Sequence, residues 1–286
     1  MITYSQLNKK GRLGNQLFQI ASTIGTAKKI NQDFSLPEWE YQHCFKNKLP
    51  LMGPQPELAL VETVADYQPF DLEQLSDNEE AVIDLNGYFQ SEKYFLHAQE
   101  EIRRYFEFSD EILEHINKKY SNVLDEYDTT IHVRRGDYLN LKNVYHIPSH
   151  LYYFKATSIL LVKKAVVFSD DIEWCKTVFK DTDCHFVNER EHDSYEISST
   201  FSAEANAKRF TFEDTVELAL MSMFKNNIIS NSTFSWWAAW LNNDPAKQVI
   251  APKYWFAQEH IDKIISPEKR NGEYIDDIIP KSWNKA

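Results

Sequence analysis

The sequence predicts an α/β protein with two domains. Its 286 residues suffice for one large or two medium-sized domains, and 43% of them are hydrophobic, which is enough to fill sizeable cores. In both halves of the chain, short strand-like apolar runs alternate with stretches whose apolar residues recur at helical spacing. This alternation is typical of sheets that are covered by helices.

The first half begins as half of a βαβ unit, in which a strand, a glycine-flanked loop and a helix follow one another. The predicted elements are, in order, a strand at 2–7, a loop at 8–14, a helix at 15–30, an irregular region at 31–80, a strand at 81–85 and helices near 91–106 and 110–121.

The polar, acidic stretch 123–128 indicates a domain boundary, which we place so that the domains span residues 1–124 and 125–286. The second half then repeats the alternation of strands and helices. Its predicted elements are strands from 129 and at 164–168, 184–187, 227–230 and 248–251, helices at 148–161, 172–179, 212–225 and 231–240, and an excursion at 190–209.

Composition excludes several classes of protein. A net charge of −12 argues against generic binding of nucleic acid. No window approaches eighteen consecutive apolar residues, and the N-terminus lacks the apolar core of a signal peptide. The three cysteines are odd in number and lack metal-ligand spacing, so we interpret them as reduced thiols. We therefore expect a cytoplasmic protein.

An arginine pair follows the strand-like run 129–133. Arg134 and Arg135 precede Gly136 and Asp137, where a parallel strand would end at a ligand crevice. Arginine presents a planar fork that matches phosphate oxygens, so this position favours an anionic ligand. The alternative is a surface ion pair with Asp137.

Hydroxyl and acidic residues follow two other predicted strands. Ser232 and Thr233 lie at a strand-to-helix junction, where hydroxyls cap a helix or bind a phosphate. Asp170 and Asp171 follow the strand 164–168, where an acid binds a ribose or a base edge, or caps the next helix. The sequence leaves these alternatives open.

The chain lacks a recognisable metal site. Asp181 and Asp183 form a D-x-D pattern, but this pattern precedes a predicted strand instead of ending one. His146 and His150 are four residues apart, but Pro148 between them is incompatible with a helical ligand pair. We predict no metal and no cofactor.

Five segments together resemble glycosyltransferase family 11, the α-1,2-fucosyltransferases, in its bacterial type. The matching segments are residues 14–19, 87–91, 132–138, 168–171 and 227–237.

The resemblance implies a GT-B-like architecture, with two Rossmann-type domains facing a central cleft. Residues 1–124 would be the acceptor side, and residues 125–286 would bind the GDP-sugar. It implies inverting, metal-independent transfer of L-fucose from GDP-fucose to the 2-hydroxyl of a galactoside. The expected setting is assembly of a glycan such as an O-antigen, in the cytoplasm or peripherally at the inner membrane.

The resemblance also implies roles for individual residues. It places Arg134 on the diphosphate and His132 near the guanosine, and it leaves Asp137 as either a general base or the acid that orients Arg134. The further residues expected at the donor are Arg135, Asp170, Asp171, Glu217, Ser230, Ser232 and Thr233. The loop expected near donor or acceptor contains Gly14, Asn15 and Gln16.

Two alternatives remain at this point. The first is a transferase that uses another GDP-deoxysugar or makes another fucosyl linkage. The second is a non-catalytic protein that binds a glycan or a nucleotide on the same scaffold.

Overall fold

The computed structural model describes residues 1–53, 55–63, 65–70, 81–187, 189, 203–264 and 277–286. The chain divides into two compact units. Unit 1 comprises Met1–Glu107 and Ile261–Pro280, and unit 2 comprises Phe108–His260 and Lys281–Ala286. Most of the predicted excursion at 190–209 lies outside the described residues, but its end belongs to a helix that begins at Ala203.

Unit 1 contains a parallel sheet with the strand order β2-β1-β4-β3. Its strands are β1 (Ile2–Thr3), β2 (Phe34–Ser35), β3 (Leu58–Val61) and β4 (Ile83–Asn86). Its described helices are α1 (Leu13–Lys29) and α2 (Gln99–Tyr105), with 3₁₀ turns at Gln42–Cys44, Glu92–Tyr94 and Leu96–Ala98.

Helix α1 is buried along nearly its whole length. The buried hydroxyls of Thr23 and Thr26 donate to carbonyls one turn earlier in the helix, and that of Ser22 donates to the Phe89 carbonyl. A Cβ added at Gly25 would lie 2.4 Å from the carbonyl oxygen of Tyr94, so the helix packs backbone-to-backbone there. Lys28 and Lys29 lie in its last turn, where cations favour the helix dipole.

Unit 2 contains a six-stranded parallel sheet with the order β10-β9-β8-β5-β6-β7. Its strands are β5 (Thr129–Val133), β6 (Lys164–Ser169), β7 (Asp183–Val187), β8 (Asn226–Ile228), β9 (Gln248–Ala251) and β10 (Asn284–Lys285). Its described helices are α3 (Asp110–Glu126), α4 (His150–Ile159), α5 (Ile172–Val178), α6 (Ala203–Ser222) and α7 (Thr233–Leu241), and α8 (Gln258–Ile264) leads from unit 2 into unit 1.

The strand order of unit 2 reverses between β5 and β8. After β5 the chain adds β6 and β7 on one side, and it then returns to add β8 and β9 on the other. This is the order of dinucleotide-binding folds, in which ligands bind at the carboxyl ends of the strands that flank the reversal. All five residues of β5 are buried, as expected for a parallel strand covered on both faces.

The division between the units differs from the predicted one at 124/125, because it falls between Glu107 and Phe108. Helix α3 packs in unit 2 through the buried residues Ile112, Ile116 and Tyr120, and the ring of His115 contacts Phe212 of α6 edge-on. The acidic stretch 123–128 is therefore the exposed end of α3 and the approach to β5. The return of Ile261–Pro280 to unit 1 also had no signal in the sequence.

Candidate functional site

The predicted donor residues of unit 2 follow strands of its parallel sheet. Residues 134–137 follow β5, Asp170 and Asp171 follow β6, and Ser230 and Ser232 follow β8 shortly before α7 begins. Since β5 and β8 flank the reversal in strand order, these residues lie where such sheets bind ligands.

Two carboxylates hold the Arg134 side chain. Its Nη2 lies 2.7 Å from Asp137 Oδ1, and its Nη1 lies 2.9 Å from Asp170 Oδ2. The side chain is 20% exposed, and its guanidinium carbon lies 5.4 Å from the centroid of the Tyr138 ring. The planar fork is thus fixed at both of its terminal nitrogens before any ligand binds.

Asp170 is the centre of this arrangement. Besides the Arg134 guanidinium, its carboxylate accepts a 2.8 Å hydrogen bond from the backbone N–H of Arg135. A Cβ added at Gly136 would lie 2.6 Å from Asp170 Oδ2, so only glycine leaves room for this carboxylate. Asp170 therefore ties the end of β6 to the turn that follows β5.

Arg135 is held by partners other than those of Arg134. Its Nε lies 3.0 Å from Asp171 Oδ2, and its guanidinium lies 4.2 Å from the centroid of the Trp174 ring. The other Asp171 oxygen accepts a hydrogen bond from the backbone N–H of Trp174, so Asp171 caps α5. The two adjacent arginines thus make different contacts.

His132 is buried between β5 and β8. Its Nδ1 lies 3.1 Å from Ser230 Oγ, and its ring lies 5.8 Å from that of Phe234. Burial, together with the charge of Arg134, lowers the pKa of His132 to about 3. His132 is therefore a neutral imidazole near neutral pH, which removes a competing charge beside the arginine.

The hydroxyls that follow β8 lie at the start of α7. Ser232 is the N-cap, and its Oγ accepts a 3.4 Å hydrogen bond from the Phe234 N–H. The first turn of α7 carries no acidic residue, and Thr233 is half-buried there. The positive end of the helix dipole is thus available to an anion. Trp236 and Trp237 are fully buried packing residues.

Tyr138 and Asn231 belong to the same site, but the sequence assigned them no role. The Tyr138 ring stacks on Tyr145 at 4.0 Å, and its hydroxyl donates to the Asn231 carbonyl at 3.3 Å. Burial raises the pKa of Tyr138, so its hydroxyl stays protonated. The Asn231 side-chain amide donates to the carbonyls of His146 and Trp255, which ties two further loops to the end of β8. The only indication in the sequence was their position, because Tyr138 lies in the matching segment 132–138 and Asn231 lies in the segment 227–237.

Glu217 lies towards the far edge of this sheet. It projects from α6, and its Oε1 accepts a 3.0 Å hydrogen bond from the N–H of Glu189, which comes two residues after β7. The carboxylate of Glu189 contacts Tyr120, Lys119 and His115 of α3. Glu217 therefore stands at the end of β7, two strands away from β5.

Gly14, Asn15 and Gln16 lie in unit 1, in the first turn of α1. The amide of Gln16 accepts from Trp39 Nε1 at 2.7 Å and donates to Glu40 Oε1 at 2.9 Å, which is a structural role. Asn15 Oδ1 accepts a 2.8 Å hydrogen bond from Gln90, and this contact joins two of the motifs named above.

The described residues lack two further features. Within that part of the chain, three or more His, Cys, Asp or Glu side chains nowhere come together in a way that could hold a metal ion. Over the same residues, none of the helices has the length and apolar character needed to cross a bilayer.

Comparison with solved structures places this fold among the GT-B fucosyltransferases. Bradyrhizobium NodZ covers 84% of this chain, and 92% of NodZ is matched, with a TM-score of 0.54 and 12% identity. A mutant of Arabidopsis thaliana FUT1 in complex with GDP covers 90% of this chain, and 71% of it is matched, with a TM-score of 0.55 and 13% identity. At these identities the likeness concerns the fold.

The sequence itself identifies the family. The model of glycosyl transferase family 11 matches residues 2–276, so the chain belongs to that family. An α-1,2-colitosyltransferase of Escherichia coli is 33% identical over 65% of this chain and 61% of its own length. The O-antigen biosynthesis glycosyltransferase WbnK of Escherichia coli is 31% identical over 63% of this chain and 57% of its own length.

A human relative, galactoside α-(1,2)-fucosyltransferase 1, is 26% identical over 81% of this chain and 63% of its own length. The matches therefore span about three fifths of the length of these relatives.

Proposed function

We propose that this protein transfers L-fucose from GDP-fucose to the 2-hydroxyl of a galactoside, with inversion and without a metal. The observation that carries the proposal is the Arg134 fork, held by Asp137 and Asp170 at the strand-order reversal of a family 11 chain. NodZ, of the same fold, has been soaked with GDP-fucose, and several relatives are named galactoside α-1,2-fucosyltransferases.

The departing GDP develops negative charge on its diphosphate, and this charge must be neutralised without a metal. Fixed cations and backbone N–H dipoles do this most effectively, because they need no rearrangement during the reaction. In this proposal Arg134 binds the diphosphate and the N-terminus of α7, at Ser232 and Thr233, receives a phosphate oxygen. In the same proposal Glu217, at the end of β7, contacts the donor.

The balance of charge around Arg134 requires one further step. Two arginines face three carboxylates there, namely Asp137, Asp170 and Asp171. We propose that a diphosphate replaces a carboxylate on Arg134, because three carboxylates beside the arginines would repel it. The Asp137 side chain is 47% exposed and the Asp170 side chain 25%, so we propose that Asp137 is the one replaced.

Once released, the Asp137 carboxylate becomes free to accept the proton of the acceptor hydroxyl. The sequence left two roles open for Asp137, that of the acid that orients Arg134 and that of the general base. In this proposal Asp137 has the first role and then the second. Asp137 would orient Arg134 until the donor binds, and it would then serve as the base.

A different donor is the second candidate. A relative at 33% identity is named an α-1,2-colitosyltransferase, which favours another GDP-deoxysugar at the same site. Colitose lacks one hydroxyl that fucose carries. A site that hydrogen-bonds this hydroxyl would reject the colitose donor by orders of magnitude, whereas an apolar site would not.

Competition between donors tests the proposal. The enzyme is given GDP-fucose, GDP-colitose and GDP-mannose with a β-galactoside, with and without EDTA, and the release of GDP and the glycan product are measured. The proposal expects transfer from GDP-fucose that EDTA does not change. Preferential use of GDP-colitose would establish the second candidate. Tight binding of GDP without any transfer would establish the non-catalytic alternative.

For the acceptor, we propose a galactose-containing glycan of the O-antigen type. The support is that the relative WbnK is named an O-antigen biosynthesis glycosyltransferase.

A further inference from the structure

Helix α4 is apolar on both faces, but only one face packs in the core. Tyr152, Tyr153 and Ala156 are buried against the sheet of unit 2. The outward face presents Leu151, Phe154 and Ile159 to solvent. Large apolar side chains that lie together on the exposed face of a helix indicate a partner.

The end of α4 carries a second anomaly. Leu161 has a φ of +53°, in the left-handed region that favours glycine. It occupies the position after the C-cap, because the Val162 N–H bonds the Thr157 carbonyl and the Leu161 N–H bonds the Ser158 carbonyl. Leu161 is 82% exposed. A leucine that is both strained and solvated contributes nothing to folding there, which points to a function.

The stretch of sequence that contains α4 carries no acidic residue, unlike the rest of the chain. Asp and Glu make up 43 of the 286 residues, but residues 138–169 contain none. The exposed lysines Lys155 and Lys163 lie on and just after α4. Lys164 is already paired with Glu126 and Asp183, so Lys155 and Lys163 supply the local positive charge.

We propose that this surface, which we call the α4 face (Leu151, Phe154, Lys155, Ile159, Leu161 and Lys163), docks on an anionic lipid bilayer. Exposed leucine and phenylalanine with flanking lysines are the chemistry of interfacial helices, whose apolar side chains enter the headgroup boundary while their lysines remain at the anionic surface. The absence of acidic residues from 138–169, together with Lys155 and Lys163, makes the α4 face complementary in charge to an anionic bilayer. The α4 face takes no part in the proposed donor chemistry.

Co-sedimentation with vesicles tests the proposal. The full-length protein is mixed with vesicles of phosphatidylglycerol and phosphatidylcholine, or of phosphatidylcholine alone, at low and high salt. Binding is expected only to the anionic vesicles, and it should weaken with salt. The absence of binding at low salt would overturn the proposal.

Substitutions locate the contact. Leu161→Gly should weaken vesicle binding about tenfold, because a buried leucine side chain is lost from the contact. The same change should raise the thermal unfolding temperature, because glycine relieves the left-handed strain. A merely structural leucine would not give this opposite pair of effects. Lys155→Glu with Lys163→Glu should weaken binding at least tenfold at low salt.

Leu51→Ser is the matched control, since Leu51 is 70% exposed but belongs to unit 1, whereas α4 belongs to unit 2. Equal vesicle binding by the control and all α4 variants would overturn the proposal.

Size-exclusion chromatography with light scattering tests whether the α4 face binds a second copy of this chain instead. A dimer that Leu161→Gly abolishes, without vesicle binding by either protein, would make this face a self-association surface and also overturn the proposal. Transfer to a soluble galactoside should be unchanged in every variant, so this test does not depend on the proposed donor.

Discussion

Replacing Arg134 with alanine should disable donor use more than any other single change in the site. The substitution removes the one guanidinium that both Asp137 and Asp170 hold. It also leaves these two carboxylates uncompensated where a diphosphate must approach.

The magnitude follows from the environment of the side chain. Arg134 is 20% exposed, so its contact with a phosphate would be a charge-assisted hydrogen bond with little competition from water. Loss of such a contact costs about 2–3 kcal/mol, or about 30- to 150-fold in kcat/KM for the donor. Arg134→Lys keeps the charge but loses the two-armed fork, and it should fall between the wild type and Arg134→Ala.

The assay is GDP release at varied GDP-fucose and fixed galactoside, with the affinity for GDP measured separately by calorimetry. Arg135→Ala is the matched control, because Arg135 contacts Asp171 and Trp174 instead. It should lower thermal stability and change donor kcat/KM by less than about fivefold. Near-normal transfer by Arg134→Ala would refute the assignment of the diphosphate to Arg134, whereas an equal loss of GDP affinity in a stably folded Arg135→Ala would support the donor role that the family resemblance implies for Arg135.

Three further predictions concern neighbouring residues. Asp137→Asn should lower kcat about 100-fold or more while GDP affinity is kept or increased, whereas a fall in GDP affinity with kcat unchanged would limit Asp137 to orienting Arg134. Gly136→Ala should weaken GDP binding because its Cβ would meet Asp170 Oδ2 at 2.6 Å, whereas Gly53→Ala, with nothing within 4 Å, should have no effect; equal affinities in the two variants would count against the role of Asp170. Burial lowers the pKa of His132 from an ordinary value of 6.5 to about 3. As the pH falls below 6.5, His132 is therefore protonated in the unfolded chain but stays neutral in the folded one. The free energy of unfolding is therefore unaffected by this group above pH 6.5 and falls by about 1.4 kcal/mol per pH unit below it. Between pH 7 and pH 5, urea unfolding should show a larger loss of this free energy in the wild type than in His132→Gln. Equal losses would contradict a buried neutral histidine.

The sequence predicted the ends of β5 and β6 well, because each run of buried residues is followed at once by polar or charged ones, whereas β8 (Asn226–Ile228) ends two residues before the predicted 230. These runs are signals local to the chain, and the resulting strands are close to the predicted ones. The partners of the arginines were not predictable in the same way. Asp170 reaches Arg134 only because β5 and β6 are adjacent, and this pairing is a property of the sheet.

Other elements gave no usable pattern. The strands β1, β2 and β10 have two residues each, too few for an alternation of faces to be read. The predicted helix near 91–106 is two 3₁₀ turns followed by α2. Composition around 123–128 suggested a linker, but the burial of one face of α3 makes that helix part of unit 2. Side-chain burial and contacts distant in sequence decided these cases.

The linkage and anomeric configuration of the product are the best test of inverting transfer of fucose to the galactose 2-hydroxyl. The protein is incubated with GDP-fucose and an array of β-galactosides without added metal, and each product is analysed by NMR. We expect an α-linked fucose on the 2-hydroxyl of galactose, formed equally in the presence of EDTA. A product with retained donor configuration, transfer to another hydroxyl, or activity that appears only with a divalent metal would contradict it.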